Sequence, residues 1–320
     1  MLNSDLVARR VVLVLSSALV LACVSAQTPE SSQEAAPATI SFDSARAFEH
    51  LKQIVAIGPR PAGSPGAQKT RDYITAQMKA LGVATREQSF EAETAIGPLK
   101  MVNVIATIPG GSGPATGSGQ ARLIIAGHYD TKRFEELEFV GANDAGSSTA
   151  FLIELARVLK DRKNALPIEL LFLDGEEAIG EWATGNTYGS RHYVLEAATD
   201  AASLKSIRAM ILVDMIADKE LTIKRDENST PWLNDAIWSA ARKLKRPEFV
   251  EATTLIEDDH LPFLRAGIPA VDIIDLEYPD PTMRYWHTAE DTLDKVSAEG
   301  MQVVGDVLIA ALPAIELRVR

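Results

Sequence analysis

The chain has 320 residues and a net charge of −12, and hydrophobic residues make up 46% of it. This apolar content supports a sizeable core and argues against a largely disordered chain. The excess of acidic residues argues against nucleic acid or an anionic membrane surface as a partner, because both would repel the protein.

Residues 1–26 are typical of an export signal, because a basic pair precedes an apolar run at 11–22 that is too short for a comfortable membrane span. Two processing sites are open. Small residues favour cleavage before Gln27 by ordinary signal peptidase, whereas a lipobox-like run ends at Cys23 and would leave a lipid anchor there. We expect an exported protein, either periplasmic or secreted or a membrane-anchored lipoprotein, and a retained anchor helix is the less favoured alternative.

Cys23 is the only cysteine, so the mature protein has neither a disulfide nor a thiolate ligand for a metal. Residues 27–40 are rich in Ser, Glu, Ala, Pro and Thr without periodicity, which predicts a flexible tether. We expect residues 41–320 to form a single domain, with no transmembrane span in the mature form.

Hydrophobic periodicity and turn residues locate the secondary structure in chain order. The predicted helices cover residues 42–57, 67–81, 144–162, 189–197, 231–245 and 297–316. The predicted strands cover residues 84–91, 99–108, 122–127, 167–173, 208–216, 221–225 and 268–275. Strands that alternate with helices predict an α/β fold with a mostly parallel, mixed central sheet flanked by helices.

Acidic residues and histidines follow the apolar runs of this predicted sheet: His128, Asp144, Glu176, Glu177, Asp214 and His287. Ligands of a parallel sheet bind at the carboxyl ends of its strands, where these residues are expected to lie. Imidazoles combined with carboxylates are typical zinc ligands. The sequence therefore predicts a zinc site at this edge of the sheet.

Two of these acids have alternative structural interpretations. Asp144 precedes a predicted helix, so it is a metal ligand, the N-cap of that helix, or both. Asp214 ends an apolar strand, where a buried carboxylate needs either a metal or a strong hydrogen bond. Asp130 follows His128 by two residues, so the two side chains share a face and Asp130 can orient a metal-facing histidine.

The adjacent carboxylates of Glu176 and Glu177 follow a buried strand and repel each other unless a cation neutralises one of them. Because neighbouring side chains point in different directions, we assign Glu177 to the metal and Glu176 to proton transfer. His287 completes the ligand set, and the adjacent Trp286 would wall a pocket. Asp258 is either part of a helix N-cap or a second acid that handles protons.

These motifs together resemble the M28 zinc aminopeptidase clan and, more narrowly, the glutaminyl-peptide cyclotransferases. The resemblance covers nearly all of residues 42–317 and rests on short segments at 58–60, 128–132, 139–142, 172–178, 182, 188–192, 258–265 and 286–288. It implies a three-layer, zinc aminopeptidase-like catalytic domain that converts the N-terminal glutamine of peptides or proteins to pyroglutamate and releases ammonia.

The same resemblance implies roles for individual residues. It implies one Zn²⁺ held by Asp144, Glu177 and His287. It implies a substrate pocket lined by Trp182, Trp286 and Lys132. Glu176 would carry the proton from the N-terminal amine to the departing ammonia, with Asp214 and Asp258 as hydrogen-bonded acids beside the zinc.

At several positions the sequence differs from the glutaminyl-peptide cyclotransferases, and these differences bear on which substrate is used rather than on the fold or the metal. Residues 143–148 are nearer to the aminopeptidase version of this turn. Glu257 replaces a glutamine of the animal enzymes, Asp272 replaces a histidine, and the animal disulfide is missing.

An M28 aminopeptidase with two zinc ions is therefore the alternative. His128 and Asp214 would then join the metal set, Asp144 would bridge the ions, and Glu176 would activate water. A metal-free binding protein is a third alternative, which the presence of every ligand disfavours.

Overall fold

The computed structural model describes residues 41–111 and 120–320, which belong to one compact unit. The predicted export signal at 1–26, the lipid-anchor site at Cys23 and the predicted tether at 27–40 lie outside the described residues.

Helices and strands alternate along most of the described chain. The helices are α1 (Ser44–Ile57), α2 (Pro65–Leu81), α3 (Gly146–Asp161), α4 (Tyr188–Ala198), α5 (Ala201–Ser206), α6 (Pro231–Leu244), α7 (His260–Arg265) and α8 (Ala298–Val319). The strands are β1 (Ala84–Thr94), β2 (Gly97–Ile108), β3 (Arg122–His128), β4 (Ile168–Leu173), β5 (Ile207–Asp214), β6 (Ile223–Asp226), β7 (Phe249–Thr254) and β8 (Ala270–Ile274).

The central sheet has six strands in the order β1-β2-β4-β3-β5-β8. β1 is the outermost strand and forms an antiparallel hairpin with β2, which in turn pairs antiparallel with β4. From β4 to β8 every pairing is parallel, so the carboxyl ends of four strands meet at one edge of the sheet. The predicted mixed, mostly parallel α/β sheet is therefore confirmed, and β6 and β7 form a separate two-stranded parallel sheet.

Alternate residues of the central strands point to opposite faces of the sheet, as the period of a strand requires. In β3, Leu123 and Ile125 pack into the core on one face, whereas Ile124 and Ala126 pack into the core on the other. Helices α1, α2, α3, α6 and α8 cover the first face, and α4, α5 and α7 cover the second. Because both faces are buried, apolar residues fill these strands continuously and polar groups gather at the strand ends.

The sequence analysis missed β7 and α5 and misplaced the start of α3. β7 has one buried residue, Phe249, and is otherwise exposed or half-buried, so it lacks the apolar run by which a strand is recognised. α5 has only six residues. α3 begins at Gly146 rather than at 144, because residues 141–145 form a turn closed by a hydrogen bond from Gly146 N to Gly141 O at 3.0 Å.

The C-terminal helix α8 is long and apolar enough to cross a membrane by length and composition, but 61% of its most apolar window is buried inside the protein. Burial in the core accounts for this composition. The helix also carries a buried acid, Glu316, which accepts hydrogen bonds from the guanidinium of Arg162 at 3.0 and 2.7 Å and from Ala165 N at 2.8 Å. This ion pair attaches α8 to the turn that leads into β4.

We predict that Glu316→Ala lowers the free energy of unfolding by about 3 kcal/mol, because it leaves the Arg162 guanidinium largely buried without its partner. Urea denaturation followed by circular dichroism measures this loss. Glu299→Ala, on the exposed first turn of the same helix, is the matched control and should change the midpoint little. If Glu316→Ala lowered the free energy of unfolding no more than the control does, the ion pair between Glu316 and Arg162 would not stabilise the fold.

Candidate metal centre

The carboxyl ends of the parallel strands carry the polar residues of the site. His128 is the last residue of β3, and Asp214 is the last residue of β5. Glu176 and Glu177 lie in the turn after β4, and His287 lies in the long loop between β8 and α8. Neighbouring parallel strands therefore bring together residues that are far apart in the chain.

Asp144, Glu177 and His287 form one group of possible metal ligands, with donor atoms that lie within 4.8 Å of one another. His287 Nε2 is 3.2 Å from Asp144 Oδ2 and 3.2 Å from Glu177 Oε1. The two carboxylates are buried and the imidazole is half-buried. One nitrogen and two oxygen donors are a set of three protein ligands of the kind that holds a catalytic zinc ion.

His128, Asp144 and Asp214 form a second group of the same kind. His128 Nε2 lies 3.3 Å from Asp144 Oδ1 and 3.3 Å from Asp214 Oδ1. Asp144 therefore belongs to both groups and offers a different oxygen to each. Its side chain does not cap α3, so the N-cap interpretation of Asp144 is wrong.

The proton affinities of the site reflect carboxylates that are buried close to imidazoles. Burial opposes the charge of His287, but the adjacent carboxylates of Asp144 and Glu177 outweigh it and raise the pKa of the imidazole to about 9. Burial would raise the pKa of Asp144, but the adjacent imidazoles of His128 and His287 hold it well below its usual range. Burial and the charge of Asp144 raise the pKa of Glu177. The site therefore favours positive charge between its carboxylates.

Three buried side-chain atoms of the two ligand groups have no hydrogen-bond partner within residues 41–111 and 120–320. They are Glu177 Oε1 and the two ring nitrogens of His128. Buried polar atoms normally have a partner, so unpartnered atoms that converge on one point need an explanation. Nitrogen and oxygen donors at this spacing suit a zinc ion, which would supply the missing partner. The residues of the site therefore fit the predicted metal.

Asp130 supports both glutamates as well as His128. Its Oδ1 lies 3.4 Å from His128 Nδ1, consistent with the predicted orienting role. The same carboxylate accepts hydrogen bonds from Glu176 N at 3.1 Å and from Glu177 N at 3.3 Å. Gly175 has a φ of +73°, a left-handed conformation that lets the chain turn sharply before the two glutamates. Asp130 therefore fixes the turn that separates the directions of the two side chains.

The sequence analysis missed Asp291, a fully buried acid in the same loop as His287. Its Oδ1 accepts a hydrogen bond from Asn143 N at 2.8 Å, and its Oδ2 accepts one from Asp144 N at 3.1 Å. The hydroxyl of Tyr278 also donates to Oδ1 at 2.9 Å. One carboxylate thus connects the loop of His287 to the turn of Asp144. Its position four residues after His287 was the available signal, but a loop acid at that spacing has no characteristic pattern.

Arg60 was also missed as a supporting residue, although residues 58–60 contribute to the family resemblance. Its guanidinium donates to the carbonyl oxygens of Tyr129 at 3.1 Å, Val140 at 2.7 Å and Gly141 at 2.9 Å. Complete burial lowers the pKa of Arg60 to about 10. Arg60 therefore fixes the backbone that leads into the Asp144 turn.

A cavity of about 360 Å³ opens above the first ligand group. Trp182, Trp286 and Lys132 all line it, so the structure brings the three predicted pocket residues together. Trp286 stacks on His287 with ring centroids 4.0 Å apart. Lys132 Nζ lies 3.5 Å from Glu177 Oε2. The walls of the cavity are mainly apolar and its base is acidic.

Glu176, Asp214 and Asp258 form the acidic base of the cavity together with the ligands. Burial, followed by the charge of Asp258, raises the pKa of Glu176 well above its usual value. Burial and the charge of Asp214 do the same for the pKa of Asp258. Asp259 occupies the N-cap position of α7 without a side-chain capping bond, and Asp258 Oδ1 accepts a hydrogen bond from Asp259 N at the start of the helix.

Of the two residues that differ from the animal enzymes, Glu257 lies at the surface and Asp272 lies in the interior. Glu257 is exposed at the mouth of the cavity, and its Oε2 accepts a hydrogen bond from Trp182 Nε1 at 3.0 Å. Asp272 is completely buried in β8, 3.8 Å from His260 Nδ1. Burial and the charge of Asp258 raise the pKa of Asp272 well above its usual value.

Comparison with known proteins identifies relatives of this chain. The model of the family described as Peptidase family M28 matches residues 103–312. A glutaminyl-peptide cyclotransferase-like protein of Bos taurus is 30% identical over 263 residues, which cover 73% of this chain and 66% of the bovine protein, just under two thirds.

Two solved structures of bacterial glutaminyl cyclases are similar to the whole described fold. The protein from an Acidobacteriales bacterium is 40% identical with a TM-score of 0.80, and the match covers 87% of this chain and 96% of that one. The protein from Porphyromonas gingivalis is 27% identical with a TM-score of 0.75, and the match covers 85% of this chain and 98% of that one.

We predict that Asp291→Asn weakens zinc binding by about 10- to 100-fold, because an amide offers only one acceptor to the two N–H groups of the Asp144 turn. Competition with a fluorescent chelator measures the affinity. Tyr278→Phe is the matched control, since it removes one bond to the same carboxylate and keeps both backbone bonds. Unchanged affinity in Asp291→Asn would show that the Asp144 turn keeps its position without this carboxylate.

Proposed function

The chain belongs to peptidase family M28, and we propose that within this family it is a zinc-dependent glutaminyl-peptide cyclotransferase. It would convert the N-terminal glutamine of peptides or proteins to pyroglutamate and release ammonia. The observation that carries the proposal is a three-ligand group beside the buried Glu176, at the base of a small cavity walled by two tryptophans. The similarity to glutaminyl cyclases over nearly their whole length supports it.

Asp144, Glu177 and His287 would hold the zinc. Bound there, the ion supplies a Lewis acid that polarises the γ-amide carbonyl of the substrate glutamine. Trp182 and Trp286 would confine the glutamine side chain and exclude water from it. Ring closure is intramolecular, so holding the amine and the carbonyl carbon in contact contributes much of the rate.

Glu176 would move the proton. The α-amine forms a new C–N bond to the γ-carbonyl carbon and loses a proton, which Glu176 accepts. Glu176 then donates this proton to the departing amide nitrogen, the original C–N bond breaks, and ammonia leaves. The raised pKa of Glu176, caused by burial and Asp258, suits a group that must hold a proton between the two steps. Asp214 and Asp258 would support this exchange as hydrogen-bonding acids.

A two-zinc aminopeptidase is the second candidate, and the group formed by His128, Asp144 and Asp214 favours it. A second ion would be held by this group, with Asp144 as a residue common to both groups. Glu176 would then activate a water molecule for attack on a peptide bond. Elemental analysis of the purified protein tests the difference, because one zinc per chain supports the cyclotransferase and two support the peptidase.

The activity assay that tests the proposal compares two substrates. We expect ammonia release from glutamine β-naphthylamide without release of naphthylamine, and no hydrolysis of leucine p-nitroanilide. Hydrolysis of the leucine substrate would favour the aminopeptidase. We also propose that the protein is exported and that its N-terminus is processed. Mass spectrometry of the mature protein would distinguish cleavage before Gln27 from a lipid on Cys23.

We predict that Glu176→Gln lowers kcat by at least about 100-fold while zinc stays bound, because the amide cannot accept the proton of the amine. Glu177→Gln is the matched neighbour and should lose zinc, because it replaces a charged ligand. Activity and zinc content are measured on the same preparations. Zinc loss in Glu176→Gln with retention in Glu177→Gln would mean that the roles of the two glutamates are reversed.

A further inference from the structure

The mouth of the cavity is formed in part by residues 255–257, which lie in the loop between β7 and α7. Leu255 lines the cavity and yet is 66% exposed, so an aliphatic surface remains in contact with water at this point. Glu257 also lines the cavity and is exposed. An apolar side chain and a carboxylate therefore lie two residues apart on the same rim.

Glu257 is the carboxylate of this rim that has no cationic partner. No Lys, Arg or His nitrogen of residues 41–111 and 120–320 lies within 4.0 Å of it in a salt bridge, and its hydrogen bond to Trp182 Nε1 uses only Oε2. The lysine that lines the cavity, Lys132, lies against Glu177 at its base. The negative charge of Glu257 is therefore available to a ligand at the mouth.

We propose that Leu255 and Glu257 form a subsite for a long basic side chain, lysine or arginine, at the second position of the substrate peptide. This proposal rests on the proposed cyclotransferase function, in which the N-terminal glutamine fills the base of the cavity. The residue that follows the glutamine then lies at the mouth. The aliphatic stem of lysine or arginine covers Leu255, and its charged end reaches Glu257.

Two features of the surroundings favour a basic occupant over a neutral or acidic one. Glu181 precedes Trp182 in the chain and is exposed, so a second negative charge lies on the surface next to a residue of the cavity wall. The net charge of −12 also attracts cationic peptides and repels anionic ones. Glu257 has a second effect, because its bond to Trp182 holds the indole in the cavity wall.

The test measures kcat/KM for ammonia release from three amidated tripeptides, Gln-Lys-Ala, Gln-norleucine-Ala and Gln-Glu-Ala. Norleucine keeps the stem of lysine without its charge. We expect kcat/KM for the lysine peptide to exceed that for the glutamate peptide by about three- to ten-fold at low salt. An exposed ion pair between lysine and Glu257, combined with repulsion between glutamate and Glu257, accounts for a difference of this size. The ratio should decrease as salt is added.

Two substitutions separate the charge of Glu257 from its hydrogen bond. Glu257→Gln keeps an acceptor for Trp182, so the lysine-to-glutamate ratio should fall towards one, and kcat/KM for the norleucine peptide should decrease less than it does in Glu257→Ala. Glu257→Ala removes the acceptor as well and should also raise KM for the norleucine peptide. Glu181→Gln is the control for loss of a nearby surface charge and should change the ratio less than Glu257→Gln.

The outcomes are distinguishable. Equal kcat/KM for the three peptides in the native enzyme, or an unchanged ratio in Glu257→Gln, would overturn the subsite while leaving the cyclotransferase intact. Absence of ammonia release from all three peptides would overturn the proposed function and the subsite with it. A ratio that Glu181→Gln lowers as much as Glu257→Gln would mean that general charge, rather than this subsite, selects the peptide.

Discussion

Carboxylates that are buried side by side repel one another, and the active edge of this sheet depends on how that repulsion is relieved. The acids concerned are Asp144, Glu176, Glu177, Asp214 and Asp258, and all are buried. Within the described residues the positive charge near them comes from His128, His287, Lys132 and Arg60. A zinc ion would place two positive charges at the point where unpartnered polar atoms converge, so it would stabilise the fold at this edge of the sheet as well as supply the chemistry.

Two further acids, which belong to neither ligand group, hold the loops of the site in place through hydrogen bonds. Asp130 joins the end of β3 to the turn after β4, and Asp291 joins the loop of His287 to the turn of Asp144. Each accepts hydrogen bonds from two backbone N–H groups, so each fixes main chain in addition to the side chain that it contacts. Because every ligand lies in or beside a loop, these cross-connections decide whether the donors hold metal-binding geometry before an ion arrives.

The elements that a periodic or continuous run of apolar residues marks in the sequence were predictable. Continuous apolar runs identified the central strands, and the residues that end β3 and β5 led to the site because parallel strands finish at one edge. β7 was missed because most of it is exposed and packing does not dictate its residues. Asp291 and Arg60 were missed because their partners are backbone groups distant in sequence, and no local pattern marks a side chain that binds main chain. The N-cap interpretation of Asp144 failed because the following helix begins two residues later.

Asp144 gives one oxygen to each ligand group, and this sharing links the two groups energetically. An ion in one group neutralises the carboxylate that the other group needs and adds a like charge close to the second position. An ion in one group would therefore weaken the binding of an ion in the other, because both groups depend on the single negative charge of Asp144. The shared carboxylate thus makes the two groups competitors for metal rather than independent sites.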